Sequence, residues 1–289
     1  MVEQSNRKIL KGKEIDIFIP ERNFGIEFNG LYWHSEDKGK HKNYHYNKWT
    51  AANTAGIQLI QIWEDDWMRN PELIKSLLEH KLGLNEKHEV EAIKARVVQL
   101  TENNAKQFMN KNHIQGFVVG DYYVGLKTND TNELVSAMVI KKEIDINNNT
   151  TDSTDDTVIN DPNQNTLTIL RYATQTNVSN GFKKLLTHVE ETFLPKQITA
   201  VSDNAISNGE LYENNGFIVN KEIPPDYMYV VKHIRKPRRD YKLKRFREDL
   251  KLKYIEGLTE KELAELNNIP RIWDAGKTRW VKTVKPTNN

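Results

Sequence analysis

The sequence predicts an α/β protein of more than one domain, and three observations carry that expectation. Short segments alternate apolar and polar residues at period two, longer segments space their apolar residues for helices, and charge is divided unevenly along the chain. Of the 289 residues, 37% are hydrophobic and 28% charged, enough apolar material for real cores beneath a heavily solvated surface. A wholly disordered chain is excluded. The absence of cysteine excludes disulfides, thiolate metal sites and cysteine nucleophiles. No run approaches the roughly 18 apolar residues of a membrane helix, and the first twenty residues lack a signal-peptide core. A cytoplasmic protein without a membrane partner is expected.

The elements follow in order. In Glu14-Ile15-Asp16-Ile17-Phe18-Ile19 the isoleucines fall on one face and Glu14 and Asp16 on the other. Pro20-Glu21-Arg22-Asn23 supplies a turn, and the next strand, residues 25–30, places Ile26 and Phe28 inward and Glu27 and Asn29 outward. If these strands pair, their acidic faces coincide. A helix-tolerant stretch over 44–55 ends at Gly56, a buried strand follows over 57–63, and a helix is expected at Pro71–Lys81. This α/β unit spans residues 1–85, and charged residues 86–92 read as a linker.

A second unit, residues 92–232, begins with a strand at 93–98 and a helix N-capped by Thr101 that runs to Asn112. Strands are expected at 121–127, 133–141, 166–172, 197–202 and 217–219, with helices at 181–193 and 207–214. Residues 144–165 are rich in Asn, Thr and Asp and predict a mobile loop. The remainder, 233–289, is basic. From Arg235 to Asn289 there are 16 Lys+Arg against 8 Asp+Glu, a net of +8, which leaves 26 against 32, a net of −6, for the rest of a chain whose total is +2. Arg235, Lys236, Arg238, Arg239, Lys242, Lys244, Arg245 and Arg247, with Tyr241 and Phe246 interleaved, are candidate contacts to DNA phosphates. Residues 258–273 read as helix-turn-helix-like.

Phosphodiester cleavage needs a nucleophilic water and charge neutralisation, and a hard cation held by carboxylates supplies both. Glu14, Asp16 and Glu27 are candidate metal ligands, and His34 a candidate to orient water or move a proton. His41 and His45 lie four apart and would share a helix face.

The segments Glu14-Ile15-Asp16-Ile17-Phe18-Ile19-Pro20-Glu21, Ile26-Glu27-Phe28-Asn29-Gly30-Leu31-Tyr32-Trp33-His34 and Gly56-Ile57-Gln58-Leu59-Ile60-Gln61-Ile62-Trp63-Glu64 resemble phage homing-type endonucleases of the PD-(D/E)XK superfamily, related to the very-short-patch repair endonucleases. The resemblance implies a restriction-endonuclease-like mixed-sheet domain that hydrolyses double-stranded DNA with Mg²⁺ or Mn²⁺, in a phage-infected or virus-encoded setting. It places a metal on Asp16 and a catalytic role on His34, with Glu14, Glu27 and Asn29 completing the site and Glu64 beside it. The superfamily's Glu-x-Lys stands here as Glu27-Phe28-Asn29, so Lys48 on the following helix, or His34 itself, takes the missing lysine's place. Separately, Asn204 through Leu211-Tyr212 to Gly216-Phe217 resembles the signature of GNAT-type N-acetyltransferases, which implies a GNAT-like α+β fold for 92–232. The phosphate-cradling loop of that family reads here Asn177-Val178-Ser179-Asn180-Gly181-Phe182, with one glycine. Two alternatives to the nuclease follow: a DNA-binding protein with a decayed nuclease centre, or an acetyltransferase.

Overall fold

The structure, a computed structural model, describes residues 2–84, 89–143 and 165–285. It is mixed α/β with several sheets and divides into two compact units, neither continuous in sequence. The first takes residues 1–75, 202–209 and 222–278; the second takes 76–201, 210–221 and 279–289.

The chain opens with β1 (Glu3–Leu10), β2 (Lys13–Ile19) and β3 (Phe24–Asn29), each antiparallel to the last. Pro20 and a left-handed Asn23 (φ 46°) make the β2–β3 turn. The helix α1 (Tyr44–Thr54) carries the chain across so that β4 (Gln58–Trp63) pairs parallel to β3, in the order β1-β2-β3-β4. α2 (Glu64–Arg69), absent from the sequence reading, and α3 (Pro71–Lys81) follow, the latter with proline at its first position.

Strand β3 keeps the expected period in the opposite orientation. Gly25, Glu27 and Asn29 face α1 and pair with Leu59, Gln61 and Trp63 of β4. Glu27 and Asn29 are 3% and 0% exposed, whereas Phe28 is 45% exposed. The reason is that α1 brings Lys48, a counter-charge, onto that face. In β2 the Asp16 carboxylate accepts the Phe28 N–H at 2.8 Å where backbone pairing ends, and the buried residues become Ile15 and Phe18 while Ile17 is 37% exposed.

The second unit runs β5 (Glu89–Glu91), β6 (Ala95–Gln99), α4 (Glu102–Asn112), β7 (Tyr122–Thr128), β8 (Leu134–Lys142), β9 (Thr166–Thr174), β10 (Asn177–Ser179), α5 (Gly181–Phe193), β11 (Gln197–Asp203), α6 (Glu210–Glu213) and β12 (Ile218–Ile223). Thr101 caps α4 by accepting the Asn104 N–H. All but 165 of the expected mobile loop 144–165 lies outside the described residues. The large sheet is covered on both faces: Val124, Leu126, Met138 and Ile140 pack with Phe182, Leu185 and Val189 of α5, and Tyr123, Ala137 and Val139 pack with Ala105, Phe108 and Met109 of α4.

Beyond β12 come β13 (Tyr227–Val231), β14 (Ile234–Pro237), α7 (Leu243–Glu248), α8 (Glu260–Leu266), β15 (Arg271–Trp273) and β16 (Lys277–Thr283). β14, β13 and β15 form a small antiparallel sheet, and β16 inserts into the large one in the order β12-β16-β11-β9-β8-β7-β6. A Thr259/Glu262 capping box starts α8. The expected helix-turn-helix is not formed, because Pro270 follows the left-handed Asn268 and the next residues pair as β15, which buries Ile272. Among the described residues no helix is long and apolar enough to cross a membrane.

Candidate functional site

The sheet face beneath α1 holds the first unit's unusual chemistry. Its Ile15–Gly25–Leu59 end is apolar and closely packed, since a Cβ on Gly25 would stand 3.0 Å from Leu59 and 3.1 Å from Ile15. Toward the ends of β3 and β4 it turns polar. Lys48 Nζ donates to Glu27 Oε1, both side chains about 4% exposed, and His45 Nδ1 lies 3.0 Å from Gln61 Oε1. His34 stacks on His45 with ring centroids 5.1 Å apart, and Leu31 N–H donates to Glu64 at 2.8 Å.

Electrostatics follow from burial. Desolvation raises the Glu27 carboxyl above its ordinary range, against the opposing pull of Lys48. Desolvation first, then the Lys40 and Lys48 cations, pushes His34 down to about 4; desolvation and then His34 push His45 down to about 3. Both imidazoles are neutral at pH 7, and they offer hydrogen bonds rather than charge. Glu27 Oε2, both amide atoms of Asn29, His34 Nδ1 and His45 Nε2 are buried without a hydrogen-bond partner.

Glu27, Asn29, His34 and Lys48 are therefore brought to one neighbourhood, with Asp16 at its edge. Glu14 is not: it pairs with the exposed Arg7. The three expected metal ligands are spent separately, on a guanidinium, a backbone amide and an ammonium. Among the described residues no group of three or more His, Asp and Glu side chains could hold a metal ion, His41 and His45 included. The expected Mg²⁺ or Mn²⁺ centre is corrected on this ground.

The basic segment is also in the first unit. Lys236, Arg238, Arg239, Lys242, Lys244, Arg245 and Arg247 are exposed, over a base of buried Tyr241 and Phe246. Arg245 is shared with Asp249 at 3.0 Å. Arg235 is a strut: its Nε meets Asp65 at 2.8 Å, its Nη2 meets Asp66 at 2.5 Å, and it lies 4.7 Å over the Trp63 ring. Arg271 makes a similar fork with Glu36, at 2.7 and 2.8 Å. Sequence reasoning missed both forks, since nothing local marks an arginine for a carboxylate about 170 or 235 residues away.

No family model and no curated protein matches the sequence. Similar solved structures include an acetyltransferase of Bacillus subtilis in complex with CoA (12% identity, TM-score 0.36, covering 66% of this chain and 100% of that one) and the ribosomal-protein-S18-alanine N-acetyltransferase of Escherichia coli (10%, 0.34, 68% and 98%). A GNAT-family acetyltransferase of Bacillus anthracis is similar at 9% identity and TM-score 0.32, covering 66% and 95%. None of these is a nuclease. The expectation of a restriction-endonuclease-like, metal-dependent homing endonuclease is accordingly corrected: its carboxylates do not converge on a metal site.

Proposed function

We propose that the protein binds double-stranded DNA through the basic surface of residues 232–253. The observation that carries this reading is the run of exposed cations from Lys236 to Arg247, ordered on β14, the 3-10 turn Arg238–Tyr241 and α7 over Tyr241 and Phe246. Residues 232–253 hold 11 Lys+Arg against 3 Asp+Glu, and duplex DNA presents a phosphate about every 1.7 Å of axis, so such a surface releases counterions on binding. Fluorescence anisotropy with a labelled duplex across a salt series tests it. Arg238→Ala/Arg239→Ala/Lys244→Ala should weaken binding to any sequence and flatten the slope of log K against log salt by about 0.9 for each phosphate no longer neutralised. Equal affinity and slope would remove the assignment.

Acyl transfer finds less support. In its favour, β9 and β11 pair only from Thr166↔Gln197 to Ile169↔Ala200, although both strands run on. Against it stands the loop that would receive the CoA pyrophosphate. Phe182 fills the core against Tyr172, Tyr212 and Phe217, and Glu89 is paired alongside Asn177, while Glu91 beside Ser179 is held by Lys94 at 2.6 Å. Isothermal titration with acetyl-CoA should show no binding; micromolar affinity would reverse the preference.

A further inference from the structure

The hairpin β13–β14 turns in two residues. Val231 pairs with Ile234, which leaves Lys232 and His233 as the whole loop, at φ 49° and 62°. Two central residues with positive φ define the type I′ hairpin turn, which Asn-Gly adopts at least cost. Lysine gains nothing locally from a left-handed backbone. Both residues are exposed, and neither side chain has a hydrogen bond, ion pair or ring contact among the described residues. The fold therefore receives nothing from these side chains in return for the strain of the turn. Just beyond, the Arg235 backbone N–H donates to Asp65 at 3.0 Å and its guanidinium is forked to Asp65 and Asp66, so the hairpin is fixed close to its tip.

We infer that Lys232–His233 is a DNA-contacting tip, presenting an ammonium and an imidazole to backbone phosphates at the edge of the basic surface. This rests on the DNA-binding reading. A two-stranded ribbon is of a size that a duplex groove admits.

The double variant Lys232→Asn/His233→Gly tests it, because it relieves the turn while deleting both side chains. The expected result is a folded protein with Tm raised by about 2–4 °C. Duplex affinity should fall about three- to tenfold, with the salt slope lowered by about 0.9 for each phosphate left without its cation. Lys232→Arg should keep the wild-type slope. A more stable double variant with unchanged affinity and slope overturns the inference alone, as does a double variant less stable than wild type. Wild-type protein that binds no duplex at low salt overturns the inference together with the DNA reading.

Discussion

The sheet face under α1 and the large sheet of the second unit are both buried, by different chemistry. In the second unit, Leu126, Met138, Ile140 and Leu185 leave water as apolar area, and none of them needs a partner of opposite charge. Under α1, Glu27 with Lys48 and His45 with Gln61 are polar groups buried against one another, beside an Asn29 buried with neither amide atom hydrogen-bonded. The lesson is that the first unit's stability is conditional: removing one member of a buried ion pair costs more than the pair contributes.

The largest effect expected from this contrast is at Lys48. Lys48→Met leaves Glu27 buried without its counter-charge and should cost about 3–5 kcal/mol, while Lys48→Met/Glu27→Leu should return close to wild-type stability or exceed it. Leu185→Ala in the second unit should cost about 2–5 kcal/mol. No second substitution of charge repairs that loss. Denaturant unfolding read by tryptophan emission separates the units, since Trp33, Trp49, Trp63, Trp67 and Trp273 lie in the first and Trp280 in the second. A single variant as stable as the double one would dissolve the contrast.

Acid acts on both units. The folded values of about 4 for His34 and about 3 for His45 lie below the ordinary 6.5, so the unfolded state binds more protons across that interval. Stability is complete above about pH 6.5 and is lost as pH falls through the folded values, at up to about 1.4 kcal/mol per pH unit for each imidazole. His113, pushed to about 3 mainly by burial, and His80, lowered by burial as well, expose the second unit to a loss of the same sign. Melts between pH 7 and 5 should show both units losing stability. A first unit whose stability does not fall over that range would mean that the stacked imidazoles are not both buried neutral.

The smallest effect separates two helix caps. Thr259→Ala removes a reciprocal box with Glu262, whereas Thr101→Ala removes one bond to Asn104. Both should cost about 0.5–2 kcal/mol, with the larger loss in the first unit, as measured by thermal melts.

What the sequence made legible follows the range of the forces involved. Pro71–Lys81, Gly181–Phe193 and the strands of the second unit appear within a few residues of their expected bounds, because capping, periodicity and turn residues are local signals. The polar neighbourhood of Glu27, His34 and Lys48 was legible as a set of residue types. Its orientation was not, since what turns Glu27 inward is a lysine 21 residues away. Arg235, read as one more cation of the tail, is instead neutralised by Asp65 and Asp66. The same arithmetic of charge described both arginines of the forks and the exposed cations beside them, and only tertiary structure tells them apart.

The pairing of Asp65 with Arg235 also sets a schedule. A ribosome adding about 5–20 residues per second needs roughly 10–30 s to make the 170 residues between them. For that interval Asp65 stands without its arginine and Asp66 has only Arg69, while most of the second unit is synthesised; Glu36 waits longer still, for Arg271. The large sheet in turn waits for β16, which inserts between strands made some 60 to 80 residues earlier. Acidic residues made early are thus among the last to gain these partners, and neither unit can be assembled in the order in which it is translated.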